Sequence, residues 1–144
     1  MVPEQVSVLV VDDEPTIRAL VAKIVERAGF RSEQARDGAD AIEKLETREF
    51  NVLIVDLMMP VKDGYSVIEW VKENMDPKPA IIVVSAGDSA ALRRLDGSVV
   101  HSIIRKPFDV EVLGDMISAA AKISRDEERD EGGQVIRFRR ENVC

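Results

Sequence analysis

Val52–Val55 is an unbroken run of β-branched and aliphatic residues that stops at a single carboxylate, Asp56. The pattern recurs: Val6–Val11, interrupted only by Ser7, stops at Asp12-Asp13, and Ala80–Val84 stops at Ser85. Runs of this length are too short for a buried helix and lack the alternation of a half-exposed strand. They read as strands buried on both faces. After Asp56 the sequence L-M-M-P-V-K-D-G forces a loop, because Pro60 cannot donate to a ladder and Gly64 tolerates special backbone angles. Between the runs the apolar period changes to that of a helix. Ile17, Leu20, Val21, Ile24 and Val25 repeat at helical spacing before Ala28-Gly29, and Ala41, Ile42 and Leu45 do so within Gly38–Glu46.

The remaining elements follow in turn. Phe30–Ala35 alternates weakly and reads as a second strand near an edge. Val67, Ile68 and Val71 mark a helix that ends before Pro77, with Trp70 packed at its margin. Residues 88–95 predict a short helix, Ile103-Ile104 a fifth strand, and Asp109 a cap. The last helix carries Val110, Leu113, Met116 or Ile117, Ala120 and Ile123 as its apolar stripe. Five β-α repeats call for an α/β fold, a doubly wound parallel sheet with helices on both faces. Right-handed crossovers then bring the ends of strands one, three, four and five to one rim, which gathers Asp12, Asp13, Asp56, Ser85 and Lys106.

A bland reading of D-D-E-P at 12–15 competes with this, since an acid before proline is also how helices are capped. Composition narrows the function. A chain of 144 residues with 45% hydrophobic content suits one domain, placed at 1–124, followed by a charged extension at 125–144. In that extension Val135-Ile136-Arg137-Phe138 alternates apolar and basic, and reads as a loose tail or a segment that docks. The net charge of -7 argues against nucleic acid as a partner. One cysteine, Cys144, allows no internal disulfide, and no run approaches bilayer length, so a cytoplasmic, membrane-free setting is expected.

Three carboxylates within a few Å repel one another unless a cation joins them. An oxygen-only set without His or Cys favours Mg²⁺. Lys106 would add a compact positive charge and Ser85 a hydroxyl. A carboxylate so flanked suits in-line attack on a phosphoryl group, giving an aspartyl phosphate.

Taken together, V-D-D-E-P at 11–15, D-L-M-M-P-x-x-D-G at 56–64, S-A at 85–86 and K-P-F at 106–108 resemble the response-regulator receiver domain of two-component signalling, over residues 6 to about 122. The resemblance implies a flavodoxin-like fold with strand order 2-1-3-4-5. It implies that Asp56 accepts a phosphoryl group from a sensor histidine kinase, a histidine phosphotransfer protein or a small phosphodonor. It further implies Mg²⁺ held by Asp13, Asp56 and the Met58 carbonyl, with Asp12 direct or through water. Ser85 and Lys106 would grip the phosphoryl oxygens, Leu57 and Ala86 would offer backbone N–H groups, and Lys106-Pro107 would be cis. An output protein, or a homodimer through the helix 4–strand 5–helix 5 face, would receive the signal.

Two departures stand out. Ile103 occupies the switch position where the family usually carries Tyr or Phe, with His101 nearby and expected to face solvent. The segment from Ser85 to Lys106 is about one residue short, so its helix is expected to be short or mobile. Two rivals remain. One is a phosphorylation-independent interaction module. The other is a Mg²⁺-dependent phosphatase with an aspartate nucleophile, which would want D-x-D where Asp12 and Asp13 are adjacent.

Overall fold

The computed structural model describes residues 5–87 and 89–127. Its strands are β1 Ser7–Val11, β2 Arg31–Ala35, β3 Val52–Val55, β4 Ala80–Ser85 and β5 Val100–Arg105. Its helices are α1 Pro15–Arg27, α2 Gly38–Thr47, α3 Gly64–Asn74, α4 Ser89–Leu92 and α5 Val110–Glu127. All strands are parallel and lie in the order β2-β1-β3-β4-β5, the doubly wound sheet expected from the sequence.

Side chains alternate across the sheet, so each central strand feeds two cores. Leu9, Val11, Leu53, Val55, Ile81 and Val83 pack with Ala41, Leu45, Val67 and Val71 of α2 and α3. Val8, Val10, Val52, Ile54, Ile82 and Val84 pack with Val21, Ile24, Val25, Leu113 and Ile117 of α1 and α5. Burial on both faces is why β1, β3 and β4 read as continuous apolar runs. β2 and β5 are the edges. Exposure alternates along β5, so only Ile103-Ile104 stands out as apolar in the sequence of a strand that extends from Val100. Trp70 is partly buried at the margin of the first core, as expected.

The first helix is not capped by an aspartate. Its N-cap is Glu14, without a side-chain capping bond, and Pro15 opens the helix. Gly29, at φ 95°, closes the far end in the left-handed region. α4 is a single turn rather than a helix over 88–95. After it the Asp96 carboxylate accepts the N–H of Ser98 at 2.9 Å, which favours a turn over another helical residue. In α5, Asp109 caps as expected, accepting from Glu111 and Val112 at 2.8 and 3.1 Å. The predicted stripe needs correction. Leu113, Ile117, Ala120 and Ala121 face the sheet, whereas Val110 and Ile123 fall on the flanks and are 43% and 40% exposed. Leu20 of α1 is half-exposed for the same reason. Val135–Phe138 and Cys144 lie outside the described residues.

Candidate functional site

From β1 the chain runs outward to β2 and then crosses back to β3 on β1's other side. Such a reversal opens a crevice beyond the carboxyl ends of the two inner strands. Val11 and Val55 are register partners there, so Asp12 and Asp56 emerge side by side. The Asp56 N–H donates to the Val11 carbonyl at 3.0 Å, continuing the ladder and fixing the height of one carboxylate against the other. Asp12 and Asp56 are buried, at 3% and 5% exposure. Asp13 stands nearer solvent, and one carboxylate oxygen from each of the three lies within 4.8 Å of the others.

Lys106 arrives from the end of β5, where its N–H donates to the Ser85 carbonyl at 3.0 Å. Its Nζ lies 2.9 Å from Asp12 Oδ2 and 3.2 Å from Asp56 Oδ2, with Glu14 Oε1 at 3.8 Å. The other oxygens are held by backbone. Asp12 Oδ1 accepts from the Glu14 N–H at 2.9 Å, and Asp56 Oδ1 from the Met58 N–H at 3.2 Å. Lys106-Pro107 is cis, as the resemblance implied.

Burial pushes the Asp56 carboxyl above its ordinary value. The Met58 N–H and the Lys106 charge oppose that rise, and the Asp12 charge adds to it. Burial also works against the Lys106 ammonium, but the Asp12 hydrogen bond and the Asp56 and Asp12 charges outweigh it and hold its pKa above the usual lysine value. One ammonium therefore faces three carboxylates. At an effective dielectric near 20, each carboxylate pair at such range repels by about 3–4 kcal/mol. The set is oxygen-only, partly open and under-neutralised, which fits a hard dication such as Mg²⁺.

Two glycines let the loops close on this rim. A Cβ on Gly64 would sit 2.3 Å from the Asp56 carbonyl oxygen, and the Gly64 N–H donates to Leu57 O at 3.1 Å. A Cβ on Gly38 would sit 2.3 Å from the Lys62 carbonyl, which accepts the Gly38 N–H at 3.1 Å. Between them Val61 turns at φ 70°, rare for a β-branched residue, with Lys62 N–H bonded back to Pro60 O at 2.8 Å.

The structure thus brings Asp12, Asp13, Asp56 and Lys106 together. Ser85 sits at the neighbouring strand end, fully buried, but its Oγ accepts the Gly87 N–H at 3.0 Å rather than contacting the acids. Met58 is exposed in the loop. Ile103 pairs in register with Val83, shares its face and is 40% exposed. His101 is exposed and bonds to Ser102 Oγ at 2.6 Å. Sequence reasoning missed the proximity of Glu14 to Lys106. It also missed the role of Gly38, signalled only by Asp37-Gly38 opening a helix.

Among known sequences, the profile of the response regulator receiver domain matches residues 8–118. Protein PilG of Pseudomonas aeruginosa is 32% identical over 114 residues, 78% of this chain and 84% of that protein. The probable chemotaxis protein CheY of Rhizobium etli is 30% identical over 121 residues, 82% and 94% of the two chains. Response regulator RR06 of Streptococcus pneumoniae is 29% identical over 113 residues, 78% of this chain, which spans about half of that relative (52%). The receiver domain of Francisella response regulator 1452 superposes with a TM-score of 0.73 at 29% identity, covering 82% of this chain and 98% of that one. Motifs, sheet order, acid rim and relatives agree, and the chain belongs to the response regulator receiver domain family.

Proposed function

We propose that this receiver accepts a phosphoryl group on Asp56 and signals by phosphorylation-dependent contact with another protein. The observation that carries the reading is the buried Asp56 carboxylate set among Asp12, Asp13 and the Lys106 ammonium. Asp12, Asp13, Asp56 and the Met58 carbonyl would hold Mg²⁺, which when bound supplies positive charge to phosphoryl oxygens. One Asp56 oxygen attacks phosphorus while the bond to the donor nitrogen of a phosphohistidine breaks. The electron pair stays on the nitrogen, which takes up a proton. Lys106 stabilises the transferring oxygens, and Ser85 serves them once its hydroxyl turns from Gly87. Sensor histidine kinases or histidine phosphotransfer proteins are the donors, and the setting is cytoplasmic. The chain is a signalling module rather than a turnover enzyme, with self-catalysed transfer and loss of the phosphoryl group at most.

A second reading, an interaction module indifferent to phosphorylation, draws on Ile103 at the switch position. Incubation with acetyl phosphate and Mg²⁺ followed by intact mass measurement separates the two. One added phosphoryl group, absent in Asp56→Asn and without Mg²⁺, is expected. No gain in the wild type favours the module.

A further inference from the structure

At the opposite end of the sheet, beside Ser7 and Asn51 where β1 and β3 begin, lies a groove of about 1030 Å³ that phosphoryl transfer does not use. Leu45 and Phe50 are buried in its lining, and Trp70 and Met75 are partly so. Glu46, Glu49 and Asp76 bring carboxylates to it against Arg48 and Lys78, and Arg48 is already paired with Glu33. Ser124 of α5 belongs to the same lining, and α5 runs on to Glu127. At a rise of about 1.5 Å per helical residue, the chain therefore leaves the described residues within a turn of the groove.

The sequence beyond holds the motif that phosphoryl chemistry left unexplained, Val135-Ile136-Arg137-Phe138-Arg139-Arg140. In an extended strand alternate side chains point to opposite sides, which would put Ile136 and Phe138 on one and Arg137 and Arg139 on the other. We propose that residues 135–140 of this chain's own C-terminal extension fold back into the groove. Ile136 and Phe138 contact Trp70, Phe50 and Met75, and the arginines meet Glu46 and Asp76.

Reach and affinity both permit it. The residues from 128 to 135 span up to about 27 Å when extended, ample from a helix end beside the groove. A short flexible tether gives an effective concentration in the millimolar range, so a segment with a free-peptide Kd of about a millimolar is docked about half the time. The charge pattern also matches, since a basic segment meets a rim richer in carboxylates.

The full chain carries its own probes, because Trp70 and Cys144 are its only tryptophan and cysteine. With a thiol-linked acceptor on Cys144, energy transfer from Trp70 should be efficient and independent of protein concentration. Ile136→Asp with Phe138→Asp should free the segment, and as a free coil samples long distances, transfer should fall about twofold or more. Far-UV circular dichroism, unchanged between the two proteins, shows that the fold is intact. Equal transfer in wild type and variant overturns the proposal. So does transfer that rises with protein concentration, which places the segment on a second copy.

Discussion

With Lys106 Nζ held 2.9 Å from Asp12 and 3.2 Å from Asp56, replacing it by methionine leaves two buried carboxylates without their counter-charge. Breaking a buried pair from one side typically costs 3–5 kcal/mol. Lys106→Met should therefore lower unfolding free energy by about 3 kcal/mol in metal-free buffer at neutral pH, with added Mg²⁺ restoring part of the loss, as denaturant titration would show. Asp56 supplies the pH dependence. Burial raises its folded pKa above the ordinary 3.8, so folding favours the protonated form. Its contribution is present below 3.8 and is lost as pH rises through the folded value. In chelator, Asp56→Asn should thus gain stability relative to wild type near neutral pH, and the gain should shrink toward pH 4. A gain that does not vary with pH would contradict the assigned cause.

At the scale of elements, loop closure depends on backbone approaching backbone. Gly64→Ala places a Cβ 2.3 Å from the Asp56 carbonyl, so the loop after Asp56 or the start of α3 must shift. Overpacking of this kind costs about 1–3 kcal/mol, and slower phosphorylation by acetyl phosphate should accompany it. Gly97→Ala, with nothing within 4 Å of the added carbon, should change stability by less than about 0.5 kcal/mol and serves as the comparison. Central strands and the carboxylates at their ends were legible in the sequence, because burial on both faces writes an unbroken run and the sheet aligns its ends. α4 was less legible. The turn that follows is tied to α3 by Lys72–Asp96 at 3.0 Å and by Arg94 stacked 4.2 Å over Tyr65, contacts that no local pattern announces. The present bond of Ser85 Oγ and the approach of Gly38 to Lys62 depend likewise on how separate elements meet.

Over the whole molecule, one sheet is the shared wall of two cores. Ile117 lies fully buried against one face, and Trp70 packs at the margin of the core on the other. Ile117→Ala should cost about 2–5 kcal/mol, and the shift should appear undiminished in the fluorescence of Trp70 across the sheet, in a single transition. Two transitions would mean that the cores melt separately. The sheet's polarity across its width carries another consequence. The inner strands read V-L-V-V, V-L-I-V and I-I-V-V, whereas the edges show Arg31 and Glu33 on β2 and His101 and Arg105 on β5. Charged and polar edges discourage one folded copy from adding its sheet to another's. Unfolding reverses that protection by releasing three uncharged, strand-forming segments at once. Heated at high concentration, this chain should clump through its centre, and the edge residues that hinder strand addition when it is folded would no longer stand in the way.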